Sequence, residues 1–242
     1  MNSAVHVRYE VLRTFRNRLL LGLTIALPLV LYYSVASANA HALSSGVPFR
    51  LYFMTGMAAY GAMFAAVSPG PHIADDRLRS WTRQMRITPL RTRTYFAAKV
   101  FAAYLLALPA LALVFLAGAS LGVNLDAAQW LVTAGLLVVG LAPFILMGLV
   151  LGHLLTGDAA GPAVAGVVVV FALFGGAYGG FFDQGTMLSI VKLIPSFWLV
   201  QAGKAALVLG DWPAEGWIVI AAWTGVLIPI AVGVYRRDTS RA

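Results

Sequence analysis

The chain has 242 residues, of which 60% are hydrophobic and 11% charged, with a formal net charge of +8. Soluble domains carry about 25% charged residues, so a water-soluble globule is excluded. The lack of cysteine excludes disulfides, cysteine metal sites and thiol catalysis. The basic residues gather at the ends of apolar stretches, as on one face of a membrane, so the charge does not describe a nucleic-acid surface.

Residues 4–18 come first. Ala4, Val7, Val11, Leu12 and Phe15 recur at helical spacing with arginines between them, which predicts an amphipathic helix lying in a membrane interface over 1–18. Span one follows at 19–38. Its apolar run is too long for a cleavable signal peptide, and further spans follow it. Span two is predicted at 51–68, where Ser68-Pro69-Gly70-Pro71 is expected to stop it. The connection after it predicts a second amphipathic helix: Ala74, Leu78, Trp81 and Met85 share one face, and Arg77, Arg83 and Arg86 lie off it. Asp75 and Asp76 suit the positive N-terminal end of that helix. Pro89 disfavours helical geometry at Thr88, so the helix is expected to stop near Ile87.

Spans three, four and five are predicted at 96–121, 130–154 and 161–182, and span six at 217–235. Each is close to the ~20 residues that a crossing needs. None carries Asp, Glu, Lys or Arg at its middle, where a charge would cost about 2.5–3.5 kcal/mol even on the mildest scale. Between spans five and six, Lys192, Pro195 and Lys204 interrupt an apolar stretch at 185–210. Two short helices dipping into the outer interface are expected there, within a segment at 183–215, rather than a seventh span. Of the 17 basic residues, 14 fall in the N-terminal segment, in the connection after span two (through Lys99) or at the C-terminus; only Arg50, Lys192 and Lys204 fall on the other side. This asymmetry puts both termini in the cytoplasm, and an even number of spans keeps them together. The expected fold is therefore an all-α integral membrane protein with six transmembrane helices in a single domain over 1–242.

The run Arg77-x-x-Ser80-Trp81-x-Arg83-Gln84-Met85-Arg86-Ile87-Thr88-Pro89-Leu90, then Tyr95 and Lys99, resembles the loop between spans two and three of type-2 ABC exporter permeases. There the pattern is roughly E-R-x-x-G-x-x-x-x-L-R-x-T-P-L, followed by an aromatic and a basic residue. Asp75-Asp76 stands in place of the usual glutamate, and Ser80 in place of the usual glycine. Ile194-Pro195-Ser196-Phe197-Trp198 is similar to the proline–aromatic stretch that opens the family's outer segment. The layout of the whole chain matches; about 25 residues match as a motif. The resemblance implies a permease subunit of a bacterial-type plasma membrane exporter, moving an apolar or amphipathic substrate such as a drug, antibiotic or lipid-like molecule. It implies a coupling helix within 72–95 that docks on a separate ABC ATPase subunit. The docking residues would be Arg77, Leu78, Trp81, Arg83, Met85, Arg86, Thr88 and Pro89, with Lys99 anchoring the base of span three. A second permease copy or a paralogue would complete a dimer. ATP and Mg would sit on the partner: this chain has no G-x-x-x-x-G-K-S/T loop and is expected to have no ATP site, cofactor or enzymatic activity of its own.

Glycine pairs four residues apart recur at Gly118/Gly122, Gly148/Gly152, Gly175/Gly179 and Gly176/Gly180. They predict either close helix packing or, over Gly175, Gly176, Gly179, Gly180, Phe181 and Phe182, an outer gate. Pro28, Pro109, Pro143 and Pro229 predict kinks. The polar residues inside the spans are uncharged: Tyr32, Tyr33, Thr55, Tyr60, Tyr104, Thr133, Tyr178 and Thr224. That composition suits an apolar pathway. His6, His41, His72 and His153 have no metal-ligand spacing. A secondary transporter or channel acting without ATP is the alternative, disfavoured by the lack of charged groups within spans. A membrane enzyme is disfavoured because Asp183, Asp211 and Glu215 lie scattered without a partnered histidine.

Overall fold

A computed structural model describes residues 12, 22–39, 42–44, 47–78, 92–179, 185–204 and 212–241. Nearly all of the expected interfacial helix, and residues 79–91 of the expected coupling segment, lie outside these residues. The described chain is helical apart from one antiparallel pair of two-residue strands, β1 (Leu43–Ser44) and β2 (Val47–Pro48).

A π-helical turn at Gly22–Ala26 leads into α1 (Leu27–Ala38), and Pro28 sits in the first turn of α1, where its missing N–H is not needed. Next come α2 (Phe49–Val67) and α3 (Pro69–Leu78). At Ser68-Pro69-Gly70-Pro71 α2 ends at Val67, as expected, but the break is a single residue wide and the chain does not leave its helical course. Ser68 keeps helical dihedrals (φ −55, ψ −26), and Pro69 and Pro71 fall in the first turn of α3, again where proline is tolerated. The apolar candidate span accordingly runs on as Phe49–Arg77, 29 residues. Asp75 and Asp76 thus lie toward the C-terminal end of α3, and the expected helix-dipole role at an N-terminus does not hold.

The third long element, α4 (Thr92–Ser120), runs through Pro109 as a single helix. Asp126 then caps α5 (Ala127–Gly140): its carboxylate accepts from the Gln129 N–H at 2.7 Å, and the Gln129 side-chain oxygen accepts from the Asp126 N–H at 3.1 Å. After a break at Leu141 the chain continues as α6 (Ala142–Leu154), with Pro143 in its first turn, and the two together make one 28-residue apolar stretch.

The next helix, α7 (Ala160–Phe174), ends eight residues before the predicted span five does. Gly176 has φ +74, and the Gly176 and Ala177 N–H groups return to the Leu173 and Ala172 carbonyls at 3.1 and 2.9 Å. This is a Schellman closure, which needs the left-handed glycine. Gly175, Gly176 and Gly179 are therefore turn residues, and their four-residue spacing does not put them on a helix face. The two short helices expected between spans five and six are present as α8 (Gly185–Val191) and α9 (Pro195–Lys204), bent by 96° at the Lys192–Ile194 break. The final helix is α10 (Ala214–Arg241), with Pro229 inside it.

Among the described residues, four helical stretches are long and apolar enough to cross a membrane, or five if the α8–α9 pair is one broken span; Thr24–Ala38 and Ala160–Phe174 are shorter apolar helices. The predicted count of six rests on those two as well. The core centres on α2, which packs against α1, α4, α6, α7 and α9 and is buried on every side from Tyr52 to Val67. Gly56, Ala58, Ala59, Gly61, Ala62, Ala65 and Ala66 keep α2 narrow enough for five neighbours to reach it.

Candidate functional site

The predicted docking segment leaves the bundle at the end of α3 and re-enters at α4. Trp81, Arg83, Met85, Arg86, Thr88 and Pro89 lie outside the described residues, and Leu78 is described in its backbone alone. The described residues at the base of this segment are Asp76, Arg77 and Lys99. Lys99 is 1% exposed, and its Nζ lies 3.5 Å from the Asp76 carboxylate. The pair joins the last turn of α3 to the second turn of α4, one on each side of the segment. Arg77 turns the other way. Its Nη1 donates to the carbonyls of His153 at 2.6 Å and Leu155 at 3.1 Å. Those groups close the C-terminus of α6, where carbonyls have no helical partner and a cation meets the negative end of the dipole.

The resemblance puts Arg77 among the residues that touch a partner and Lys99 at the base of span three. In the structure both make contacts inside the chain. Lys99 is buried and Arg77 spans to α6, so they hold the segment's base. Replacing Arg77 with alanine is expected to lower stability by about 2 kcal/mol, since both bonds carry charge; thermal unfolding in detergent, followed by size-exclusion, reads it.

Aromatic rings tie a fourth helix into this end. Tyr235 of α10 packs edge-on against Phe96 of α4 (5.2 Å between centroids) and against His153 of α6 (5.6 Å). Four helices thus meet at the segment's base: α3, α4, α6 and α10. Sequence reading missed Asp76 as the partner of Lys99, and it missed Tyr235. The available signal for the first was a lone lysine at the start of an apolar span.

The seam between the α2–α3 joint and α6 is set by glycine. A Cβ on Gly148 would lie 2.7 Å from the Val67 Cα, one on Gly152 would lie 2.6 Å from the Gly70 carbonyl oxygen, and one on Gly70 would lie 2.8 Å from the Gly148 oxygen. The Gly148/Gly152 pair therefore serves packing within the chain.

At the far end, Gly175 meets the Ser196 carbonyl, where a Cβ would come within 2.8 Å; Gly180, Phe181 and Phe182 are outside the described residues. Arg50 donates to the Leu121 carbonyl at 2.7 Å, and Tyr32 donates to the Arg50 carbonyl at 3.2 Å. Lys204 lies 3.7 Å above the Tyr52 ring. The three basic residues that sequence assigned to the minority side divide between this end, Arg50 and Lys204, and the α8–α9 break, Lys192.

Half of the eight polar residues expected along a pathway are buried between helices, whereas Tyr33 is exposed. Tyr32, Thr55, Tyr60 and Thr133 are at most 1% exposed. Among the described residues no group of three His, Asp or Glu side chains could hold a metal.

No family model matches the chain, and no solved structure is similar to it. Over 225 residues it is 22% identical to the Bacillus subtilis (strain 168) protein named "Putative transport permease YvfS", an alignment that covers 92% of this chain and 88% of that one. With its several apolar helices, the chain is a multi-pass membrane protein similar to a transport permease.

Proposed function

We propose that this chain is the membrane-spanning permease subunit of an ATP-driven ABC exporter, with six spans and both termini in the cytoplasm. The four long apolar helical stretches would supply four spans, and the two shorter apolar helices the others. A separate ATPase subunit binds ATP and Mg and docks on the coupling segment within 72–95; a second permease copy or a paralogue completes the dimer. The substrate is apolar or amphipathic, in keeping with spans that hold no charged group at mid-depth.

The observation that carries this reading is the anchoring of that segment. A buried ion pair ties α3 to α4 at its base, and Arg77 ties α3 to α6. A push delivered to the segment would move three helices together, whereas a loose basic loop would absorb it. ATP hydrolysis can then bias the bundle between inward-open and outward-open arrangements. The similarity to a protein named as a transport permease, over most of both chains, agrees with a transport role.

The test is transport by the chain reconstituted with its ATPase. Trp81→Ala combined with Arg83→Ala is expected to leave membrane insertion intact and to reduce ATP-dependent transport by about 5–150-fold, the range of ordinary coupling energies. Transport indifferent to ATP, or unchanged in that double variant, would overturn the assignment.

A further inference from the structure

The short helix α8 turns out of the bundle that holds its neighbour. From Pro195 to Gly203, α9 is buried at every position except Gln201, with Gly203 against Thr55 of α2, Leu199 against Gly140 of α5 and Ser196 against Gly175 at the end of α7. α8 lies at 96° to it and buries Val191 alone; Leu188 packs partly against the cluster of Val191, Trp198, Trp212 and Ile220. The sequence of α8 divides by face. At helical spacing Met187, Leu188, Ile190 and Val191 fall on one half, and Thr186, Ser189 and Lys192 on the other. The apolar half is wider than the part that packs: Met187, Ile190 and, in the break, Leu193 are 54%, 53% and 67% exposed.

The break beside this ridge leaves no backbone group for water. The N–H groups of Lys192, Leu193 and Ile194 donate to the carbonyls of Leu188, Ile190 and Val191 at 3.0, 3.1 and 2.9 Å. Two indoles take up carbonyls: Trp198 donates to Lys192 at 2.6 Å, and Trp223 of α10 donates to Leu193 at 2.9 Å. The Phe197 N–H reaches the Ile194 carbonyl at 3.2 Å. A surface loop in water needs no such provision, whereas in hydrocarbon every backbone polar group has to be paired within the protein. The charge next to the break is directed to the polar side. Lys192 lies 3.7 Å from Glu215 in the first turn of α10, whose side chain is 66% exposed. The ridge also adjoins α10, the long helix least embedded in the chain, where Trp217, Ile218 and Val226 are exposed.

We propose that α8 lies in the plane of the membrane and docks on lipid, with Met187, Ile190 and Leu193 among acyl chains and Thr186, Ser189 and Lys192 in the headgroup layer. Trp198 and Trp223 are positioning residues: by closing the carbonyls of the break they let it sit where water does not reach. The order from a charge and hydroxyls to an apolar ridge follows a leaflet from headgroup to tail, which contact with a second copy of the chain would not require. Which leaflet holds α8 rests on the orientation proposed above; its docking on lipid does not.

The chain has no cysteine, so Ser189→Cys, Ile190→Cys and Leu193→Cys can each be spin-labelled alone in the full chain, in nanodiscs of phosphatidylcholine and phosphatidylglycerol. Power saturation compares relaxation by oxygen, which concentrates among acyl chains, with relaxation by a water-soluble nickel chelate. Labels at Ile190 and Leu193 are expected to respond several-fold more to oxygen than to nickel, and the label at Ser189 more to nickel. Trp223→Phe should raise the nickel response at Leu193, as water enters to bond its carbonyl, and lower the thermal midpoint. If Trp223→Phe fails to fold, the three labels in the native background decide. Nickel acting at Leu193 as strongly as oxygen would put the ridge in water, and a weak response to both would put it under protein, as beneath a second copy; either overturns the docking on lipid. An unchanged Leu193 response in folded Trp223→Phe would overturn the role of the indole. The readout needs neither nucleotide nor partner, so a failure of ATP-driven transport would remove the proposed function and leave the lipid contact standing.

Discussion

Lys99→Met should destabilise the folded chain by about 3–5 kcal/mol, the loss expected when one member of a buried ion pair is removed. Lys99 is 1% exposed and Asp76 is buried beside it, 3.5 Å away. At such a distance and an effective dielectric near 20, the attraction is about 4 kcal/mol. Desolvating the two charges costs several kcal/mol each, so the intact pair adds little net stability. Removing one partner leaves the cost of the other without its offset. Asp76→Asn combined with Lys99→Met should therefore recover most of the loss, because both costs vanish together. Thermal unfolding of the two single variants and the double variant in detergent measures this. Equal loss in the double variant would mean that Lys99 acts through packing of its stem and not through Asp76. The pair also bears on the proposed mechanism: the double variant should be well folded and still transport poorly, since α3 and α4 are no longer tied at the segment's base.

The same substitution at two helical glycines should have opposite signs. Gly152→Ala places a Cβ 2.6 Å from the Gly70 carbonyl oxygen and 2.8 Å from the Gly70 Cα. Both are backbone atoms, so relief requires α3 and α6 to separate. The cost should reach or exceed the ~1–3 kcal/mol typical of overpacking. Gly166→Ala, in α7, meets nothing within 4 Å and should gain up to about 1 kcal/mol from the better helix propensity of alanine. Unfolding midpoints of the two variants decide the matter. A neutral Gly152→Ala would show that the joint at Ser68 can open without loss.

The helices were legible because burial in lipid leaves a one-dimensional signal. Long apolar runs without central charge mark the helical stretches, and Pro195 marks the break between α8 and α9. The joint at Ser68-Pro69-Gly70-Pro71 misled for a local reason. Two prolines read as a stop, yet proline is tolerated in a first turn, and the glycine between them is there for Gly148 and Gly152, some eighty residues away. The run after Phe174 misled in the opposite direction: glycines at four-residue spacing suggest a helix face, but a left-handed Gly176 ends the helix before they can form one. Which span lies at the centre was also not read from the sequence. The second half of α2 is rich in Ala and Gly, which lets neighbouring helices approach it closely.

The amino-acid order alone determined that this chain is helical and membrane-embedded, where its apolar helices run, and that its basic residues crowd the connection between α3 and α4. These follow from local quantities: apolar length, charge position, and the places where proline and glycine fall. Only the tertiary structure decided that Lys99 meets Asp76, that Arg77 closes α6, and that Tyr235 of α10 packs between Phe96 and His153. Those pairings depend on which helices come within a few ångströms of each other, and that is set by the summed shape of many side chains, which no single stretch of sequence contains.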